Sequence, residues 1–179
     1  VLNVLSSDRD VDGTIDPATV TITAQPIHGS LQVDPATGVV TYSPAANFFG
    51  FDSFRYRVKD NVGSISNIAT VSIIVSPVND APVATNDSYL VNEDVPRTVT
   101  AAKGLLTNDT DVDGNTFTAI LVAGPAHGIL TLNPNGSFTY EPDENFFGSD
   151  SFVYVANDGL AESSPTLVSL TILPVNDAP

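Results

Sequence analysis

The octapeptide NFFGFDSF at Asn47–Phe54 returns as NFFGSDSF at Asn145–Phe152, a shift of 98 residues. Outward from it, PIHG at Pro26–Gly29 answers PAHG at Pro125–Gly128, a shift of 99. DVDG at Asp10–Gly13 answers Asp111–Gly114, a shift of 101, and PVNDAP at Pro77–Pro82 answers Pro174–Pro179, a shift of 97. Anchors that recur in one order with so little drift define two copies of one module of about 97 to 101 residues. The organisation read from them is a first repeat over 1–78, a linker at 79–82, a second repeat over 83–175 and the start of a further linker at 176–179. Aligned on the acidic segment, Val1 falls opposite Ala102. The first copy is therefore expected to lack any counterpart of Ala81–Ala101, and the chain reads as a fragment of a longer array.

Within the second copy, alternating apolar and polar residues mark short strands separated by turn residues. They fall near Tyr89–Asn92, Arg97–Ala101, Thr116–Ala123, Ile129–Leu132, Ser137–Glu141, Asp150–Ala156 and Thr166–Leu173. Asn135-Gly136 between two of them is a hairpin signal, since both residues tolerate positive φ. Seven short strands with no helical stretch describe a Greek-key β-sandwich, so the chain reads as all-β, two sandwiches in tandem, the first without its opening strands. Phe138, Tyr140, Phe152 and Tyr154 fall on inward positions, as do Tyr42, Phe54 and Tyr56, and are expected in the cores. A copy without its opening strands would leave a sheet edge bare, open to edge-to-edge self-association.

The chain has 179 residues, of which 42% are hydrophobic, too many for simple disorder. Its 21 acidic residues against 6 basic ones give a net charge of −15. That charge repels phosphate backbones and anionic lipid, so nucleic acid and membrane surfaces are poor partners. No apolar run approaches the ~20 residues that cross a bilayer as a helix, and no membrane insertion is expected. Without cysteine, any metal must be hard and oxygen-bound.

The acids are not scattered. Asp8, Asp10 and Asp12 before Gly13, and Asp109, Asp111 and Asp113 before Gly114, both spell D-x-D-x-D-G. Three carboxylates on alternate residues repel one another unless a cation lies among them, and the glycine lets the chain turn so that oxygens converge. An EF-hand loop begins this way, but Thr19 and Ile120 stand where its bidentate Glu belongs, and the flanks are strands. Asn79 and Asp80, between Pro77 and Pro82, add two side-chain oxygens close to the second ladder. His28 and His127 in the P-x-H-G turns read as turn residues, and Asp52 and Asp150 as hydrogen-bond acceptors at strand starts. No nucleophile–base pair or cleft signature points to an enzyme.

Taken together, NDAP, the N-D-S and E-D-x-P segments, N-D-x-D-x-D-G, P-x-H-G-x-L, N-F-x-G-x-D-S-F and N-D-G resemble the bacterial immunoglobulin-like, cadherin-like tandem repeat. That repeat occurs in large secreted adhesins and surface proteins, including those of RTX type. The resemblance implies a cadherin-like β-sandwich, an extracellular or cell-surface location, and Ca2+ at the joints between neighbouring repeats. Adhesion targets on other cells or matrix would be met through other domains. Carried over by position, the linker pair is Asn79 and Asp80, and the D-x-D is Asp111 and Asp113, or Asp109 and Asp111. Asp158 follows the penultimate strand, with Asp60 as its first-copy counterpart, and Asn115 lies beyond the ladder. Glu93 would serve the next joint with Asn176 and Asp177. The family's Asp-Arg-Glu motif has no clear counterpart, so one or two ions are expected at the central joint. The expected role is an adhesin stalk module; the alternative is an accessory carbohydrate-binding module of a secreted enzyme, which the absence of Trp disfavours.

Overall fold

In the strand Gly50–Asp60 every second side chain turns inward: Asp52, Phe54, Tyr56 and Val58 are buried, while Phe51, Ser53, Arg55 and Arg57 face out. Period-2 burial of this kind is what a half-buried strand imposes on its sequence. The computed structural model describes residues 1–176 and divides into units Val1–Val78 and Asn79–Pro179. Among the described residues no helix is long and apolar enough to cross a membrane.

The first unit contains β1 (Ile15–Ala24), β2 (Gly29–Val33), β3 (Val40–Pro44), β4 (Gly50–Asp60) and β5 (Ala69–Val75). One antiparallel sheet runs β1-β4-β5 and the other is the β2-β3 pair. Its buried core is Val4, Val40, Phe54 and Tyr56. The second unit contains β6 (Asp87–Asn92), β7 (Arg97–Val99), β8 (Thr118–Ala123), β9 (Gly128–Leu132), β10 (Phe138–Pro142), β11 (Gly148–Asn157) and β12 (Thr166–Leu173). Its sheets run β7-β10-β9 and β6-β12-β11-β8, antiparallel except that β6 lies parallel to β12. Phe138 and Phe152 meet edge-on in the core at 5.4 Å between ring centroids, and Tyr89 meets Phe138 at 5.0 Å. Offset aromatic pairs of this kind add to the hydrophobic gain of burying the rings. The Asn135-Gly136 turn closes with Gly136 at φ 78° and its N–H donating to Asn133 O at 2.9 Å.

The opening of the first unit differs from its sequence alignment. Leu2 exchanges two backbone hydrogen bonds with Val40, at 2.7 and 3.0 Å, where Val99 pairs with Phe138 in the second unit. Leu2 thus takes the place of Val99, an offset of 97, although the ladders are offset by 101. The difference is taken up by the short 3-10 turn at Ala101–Lys103, which the second unit has and the first lacks. The first unit still has no strand beside β5 to match β6.

Both units hold their P-x-H-G turn with a buried carboxylate. Asp150 accepts hydrogen bonds from the N–H groups of Ala126, His127 and Ser151 and from the Tyr140 hydroxyl, all at 2.8–2.9 Å. Asp52 does the same with Ile27, His28, Ser53 and Tyr42. Each histidine stacks on a phenylalanine, His28 on Phe48 at 4.3 Å and His127 on Phe146 at 4.1 Å. Burial alone raises the Asp150 carboxyl, but the converging donors outweigh it and hold it below the usual carboxylate range. A folded-state value below the unfolded one contributes stability that is complete above pH ~4 and is lost as pH falls through the folded value. Asp150→Ala leaves three N–H groups and a phenol without their acceptor, and is expected to cost about 2–4 kcal/mol. Tyr140→Phe is expected to cost about 1 kcal/mol. Urea unfolding checks both, and the Asp150→Ala deficit should shrink on titration toward pH 3.

Candidate metal centre

The segment entering the second unit is tied to the acidic loop before any strand begins. Val83 and Thr110 exchange two backbone hydrogen bonds, Val83 N–H to Thr110 O at 2.8 Å and the reverse at 3.0 Å. This brings Asn79 and Asp80 against the loop that carries the ladder. The Asp80 N–H donates to Asp113 Oδ2 at 2.7 Å. The Asn79 carboxamide donates to Asp158 Oδ2 at 2.9 Å and accepts from the Asn115 carboxamide at 3.0 Å. Within the loop, the Asp113 N–H donates to Asp111 Oδ1 at 2.8 Å, and Gly114 turns the chain at φ 74°.

Asp158 arrives from the other side. Its Oδ1 accepts the Leu160 and Ala161 N–H groups, both at 2.7 Å, in a turn that Gly159 makes with φ 95°. The Ala161 N–H, then the Asn79 carboxamide and the Leu160 N–H, hold this carboxyl below its usual range. Six of the residues singled out in the sequence therefore form one network: Asn79, Asp80, Asp111, Asp113, Asn115 and Asp158.

The carboxylates of this network are spaced by N–H donors rather than packed against one another. Among the described residues no three acidic or histidine side chains close on a common point. Asp111 Oδ2 is buried and has no hydrogen-bond partner. Buried carboxylate oxygens are normally satisfied, so an orphan in a network with five further oxygen-bearing side chains is what a cation-binding loop presents. Oxygen ligands alone, with no thiolate and no imidazole, suit a hard divalent ion such as Ca2+. The residues fit that ion.

Asp109 stands apart from this network although it belongs to the ladder. It is buried, its two oxygens accept the Tyr154 hydroxyl at 3.1 and 3.0 Å, and Oδ1 also accepts the Thr85 N–H at 2.9 Å. In the first unit Asp8 is held likewise by the Tyr56 hydroxyl at 2.9 Å. Asp10 repeats the orphan, with Oδ2 buried and unpartnered as in Asp111. Asp12 is exposed, and Asp60 accepts the Val62 and Ser64 N–H groups at 2.9 and 2.8 Å. Glu93 lies at the other end of the second unit, because β6 runs from beside Val168 to beside Leu173. It is buried, and its Oε1 accepts the Val175 N–H at 2.6 Å. Asn176 is exposed, and Asp177 lies outside the described residues.

Sequence reasoning missed Asp87. Its Oδ1 accepts the Asn108 carboxamide at 3.3 Å and its Oδ2 is buried without a partner. Burial first and the neighbouring Asp109 second push Asp87 up to about 6. The signal available was weak: the N-D-S segment occurs once, because the first copy has no matching stretch.

A family model described as bacterial cadherin-like domain matches residues 1–77 and 79–174. Integrin beta-like protein C of Dictyostelium discoideum is 32% identical over 152 residues, which cover 72% of this chain and 8% of that protein. Human Protocadherin Fat 1 is 27% identical over 148 residues, covering 79% of this chain and 3% of that protein. The chain therefore spans under a tenth of the length of these relatives. Among solved structures, human CDH23 EC21-23 superposes with a TM-score of 0.53 at 19% identity, covering 89% of this chain and 59% of that one. Human mucin-like protocadherin EC1-2 superposes at 0.52 with 14% identity, covering 87% and 84%. These likenesses concern the fold.

The Asp87 carboxyl yields a prediction whose sign is opposite to that for Asp150. Its folded value lies above the unfolded one, so ionising it works against folding as pH rises from ~4 through ~6. In calcium-free buffer Asp87→Asn is expected to raise the unfolding midpoint at pH 7 and to leave it unchanged near pH 3.5. A thermal-unfolding series across that range checks this; a variant less stable than the parent at pH 7 would contradict it.

Proposed function

The chain belongs to the bacterial cadherin-like domain family, and on that premise we propose that it is a structural repeat module of an extracellular bacterial surface protein, an adhesin stalk element stiffened by calcium. The reading is carried by one observation: Asn79 and Asp80, the first residues of the second unit, are gathered with Asp113, Asn115 and Asp158 around a ladder whose Asp111 keeps a buried, unpartnered oxygen. The two copies repeat that orphan at Asp10 and Asp111, which favours a property of the module over an accident of one loop.

Calcium, when bound, supplies the positive charge that lets several carboxylates share a small volume and draws six to eight oxygens around itself. The chain's residues do the rest. Asp111 and Asp113 hold the loop, Asp158 comes from the far turn, and Asn79 and Asp80 belong to the entering segment itself. Fastening that segment to its own unit fixes the direction in which the chain enters the sandwich. Without the ion the same carboxylates repel, and only hydrogen bonds to exposed groups restrain Asn79 and Asp80. The module acts as a spacer. The repeated turn histidines support this over a catalytic role, since each is stacked on a phenylalanine and its turn is fixed by a buried aspartate.

Calcium at about a hundredfold excess over Kd adds about 2.7 kcal/mol to a folded unit that binds one ion. For a unit of this size that is a rise of roughly 10–20 °C in Tm. Chelator should broaden the dimensions measured by X-ray scattering. Asp111→Ala should weaken calcium binding at least about tenfold, while His127→Ala should leave it unchanged. Identical scattering with and without calcium would remove the stiffening role, and equal effects of the two substitutions would remove the residue assignment.

A further inference from the structure

The two copies of the module have diverged at their surfaces. The first unit carries four basic residues against seven acidic ones, the second two against fourteen. Three of those four, Arg55, Arg57 and Lys59, take successive outward positions on β4, spaced by about 7 Å. In the second unit Val153, Val155 and Asn157 stand at these places on β11. The residues opposite Arg55 are Ala24 and Thr70, and Thr21 lies opposite Arg57, while Lys59 faces Asp16. Among the described residues no carboxylate pairs with either arginine. The same face ends in Phe51 and Ile74, which lie opposite each other and are 78% and 71% exposed. Ser149 and Thr171 replace that pair in the second unit.

The second unit answers with the opposite sign. Glu141, Asp143 and Glu144 are exposed at the end of β10 and in the turn after it, where the first unit has Ser43, Ala45 and Ala46. Among the described residues their carboxylates have no hydrogen-bond or ion-pair partner. Ile129 lies opposite Glu141 on β9 and is 67% exposed; in the first unit the matching pair is Ser30 and Ser43. Each unit thus presents one surface that joins exposed apolar side chains to unpaired charge of a single sign, and neither repeats the other's. Apolar contact bordered by complementary charge is the anatomy of a protein–protein interface.

We propose that the outer face of the β1-β4-β5 sheet of one molecule docks on the β10–β11 corner of a second copy. Arg55 and Arg57 meet Glu141, Asp143 and Glu144, and Phe51 with Ile74 covers Ile129. The contact is heterologous, since the two partners contribute different surfaces, and it involves no sheet edge. Exposed ion pairs contribute little individually, so the association is weak, with a Kd of about 0.1–1 mM. At 0.15 M salt, charges more than about 8 Å apart are largely screened. That damps the repulsion between two chains of net charge −15 and leaves pairs in contact attractive. None of these residues belongs to the calcium reading, and the test is made in chelator, so its failure leaves that reading untouched.

The test is sedimentation equilibrium of the full chain in chelator, up to about 1 mM. The weight-average mass should rise with concentration at 0.15 M salt and return to that of the monomer at 1 M, where screening reaches about 3 Å. The pair Arg55→Glu with Arg57→Glu should be monomeric, as should Glu141→Lys with Glu144→Lys. Mixing the two variants should restore association, because the swapped charges again face their opposites. Both variants stay acidic, the parent chain having a net charge of −15, so attraction between the whole molecules does not produce that rescue. In the unsubstituted chain, concentration-dependent amide shifts should gather at 51–57, 70–74, 129 and 141–144. A monomer at 1 mM, association that survives 1 M salt or either swap, or folded variants that do not rescue each other overturn the proposal. So does a monomeric chain that binds dextran sulfate through the same arginines, which would give the face to an anionic polysaccharide.

Discussion

A phenol hydroxyl at the centre of each sandwich must find an acceptor, and the acceptor it finds is the first aspartate of the acidic ladder. Tyr154 is fully buried and donates to Asp109; Tyr56 is buried and donates to Asp8. A buried hydroxyl without a partner would cost about 1–3 kcal/mol, so this bond pins the loop to the core. The carboxylate in turn raises the phenol, Tyr56 to about 12 with burial as the larger cause. The loop's remaining acids are then presented outward from a fixed root. A flexible acidic loop would have to be ordered by its ligand at an entropic cost; a rooted one is ordered beforehand.

This division of labour also marks where sequence reading succeeds and where it stops. The repeat, the sandwich class and the inward aromatics are legible because burial imposes period 2 on β4, β10, β11 and β12, and four anchors carry that pattern from copy to copy. The gathering of Asn79, Asp80, Asp113 and Asp158 is legible from spacing and resemblance. The distinct role of Asp109 is not, since D-x-D-x-D looks uniform in one dimension. Only the alternation of the chain past Tyr154 shows that its first acid faces the core. Asp87 is illegible for a related reason: its environment is made by Asp109 and Asn108, about twenty residues away and on another element. The offset of Leu2 from Val99 was hidden by aligning on the ladder, because a single short 3-10 turn absorbs four residues of length without disturbing either flanking pair.

The network at the head of the second unit is held by weak donors. The Asn79 carboxamide and backbone N–H groups occupy lone pairs of Asp158, Asp113 and Asp111, Asn115 in turn donates to Asn79, and hydrogen bonds at exposed positions contribute little net stability in water. With a net charge of −15 on the chain, these acids gain no help from the surrounding field. On the proposed reading, such an arrangement is ordered enough to place the oxygens and weak enough to yield them to a divalent ion. The orphaned Oδ2 of Asp111 fits this reading, for it is the atom to which the hydrogen-bonded arrangement offers nothing.

The acidic cluster and the sheet edge are consecutive stretches of one strand of chain. Asn79 and Asp80 hydrogen-bond into the ladder and Asp158, Val83 is bridged to Thr110, Thr85 meets the root carboxylate Asp109, and β6 then completes the sheet beside β12. Thr110 lies between Asp109 and Asp111, so seating the edge strand positions the ladder from behind while the cluster holds the strand's leading end. The two events must reinforce each other: whatever loosens β6 lowers the effective concentration of Asn79 and Asp80 at the ladder, and whatever draws the ladder together shortens the path β6 must span. Among the described residues the first unit keeps a rooted ladder at Asp8–Asp12 and has no strand beside β5 on the side away from β4. Its half-buried Val71, Ile73 and Val75 are the measure of what that strand contributes, for the same positions in the second unit are sealed to 2% exposure or less. In a repeat of this kind, the segment that links one module to the next is therefore also a structural strand of the module it enters.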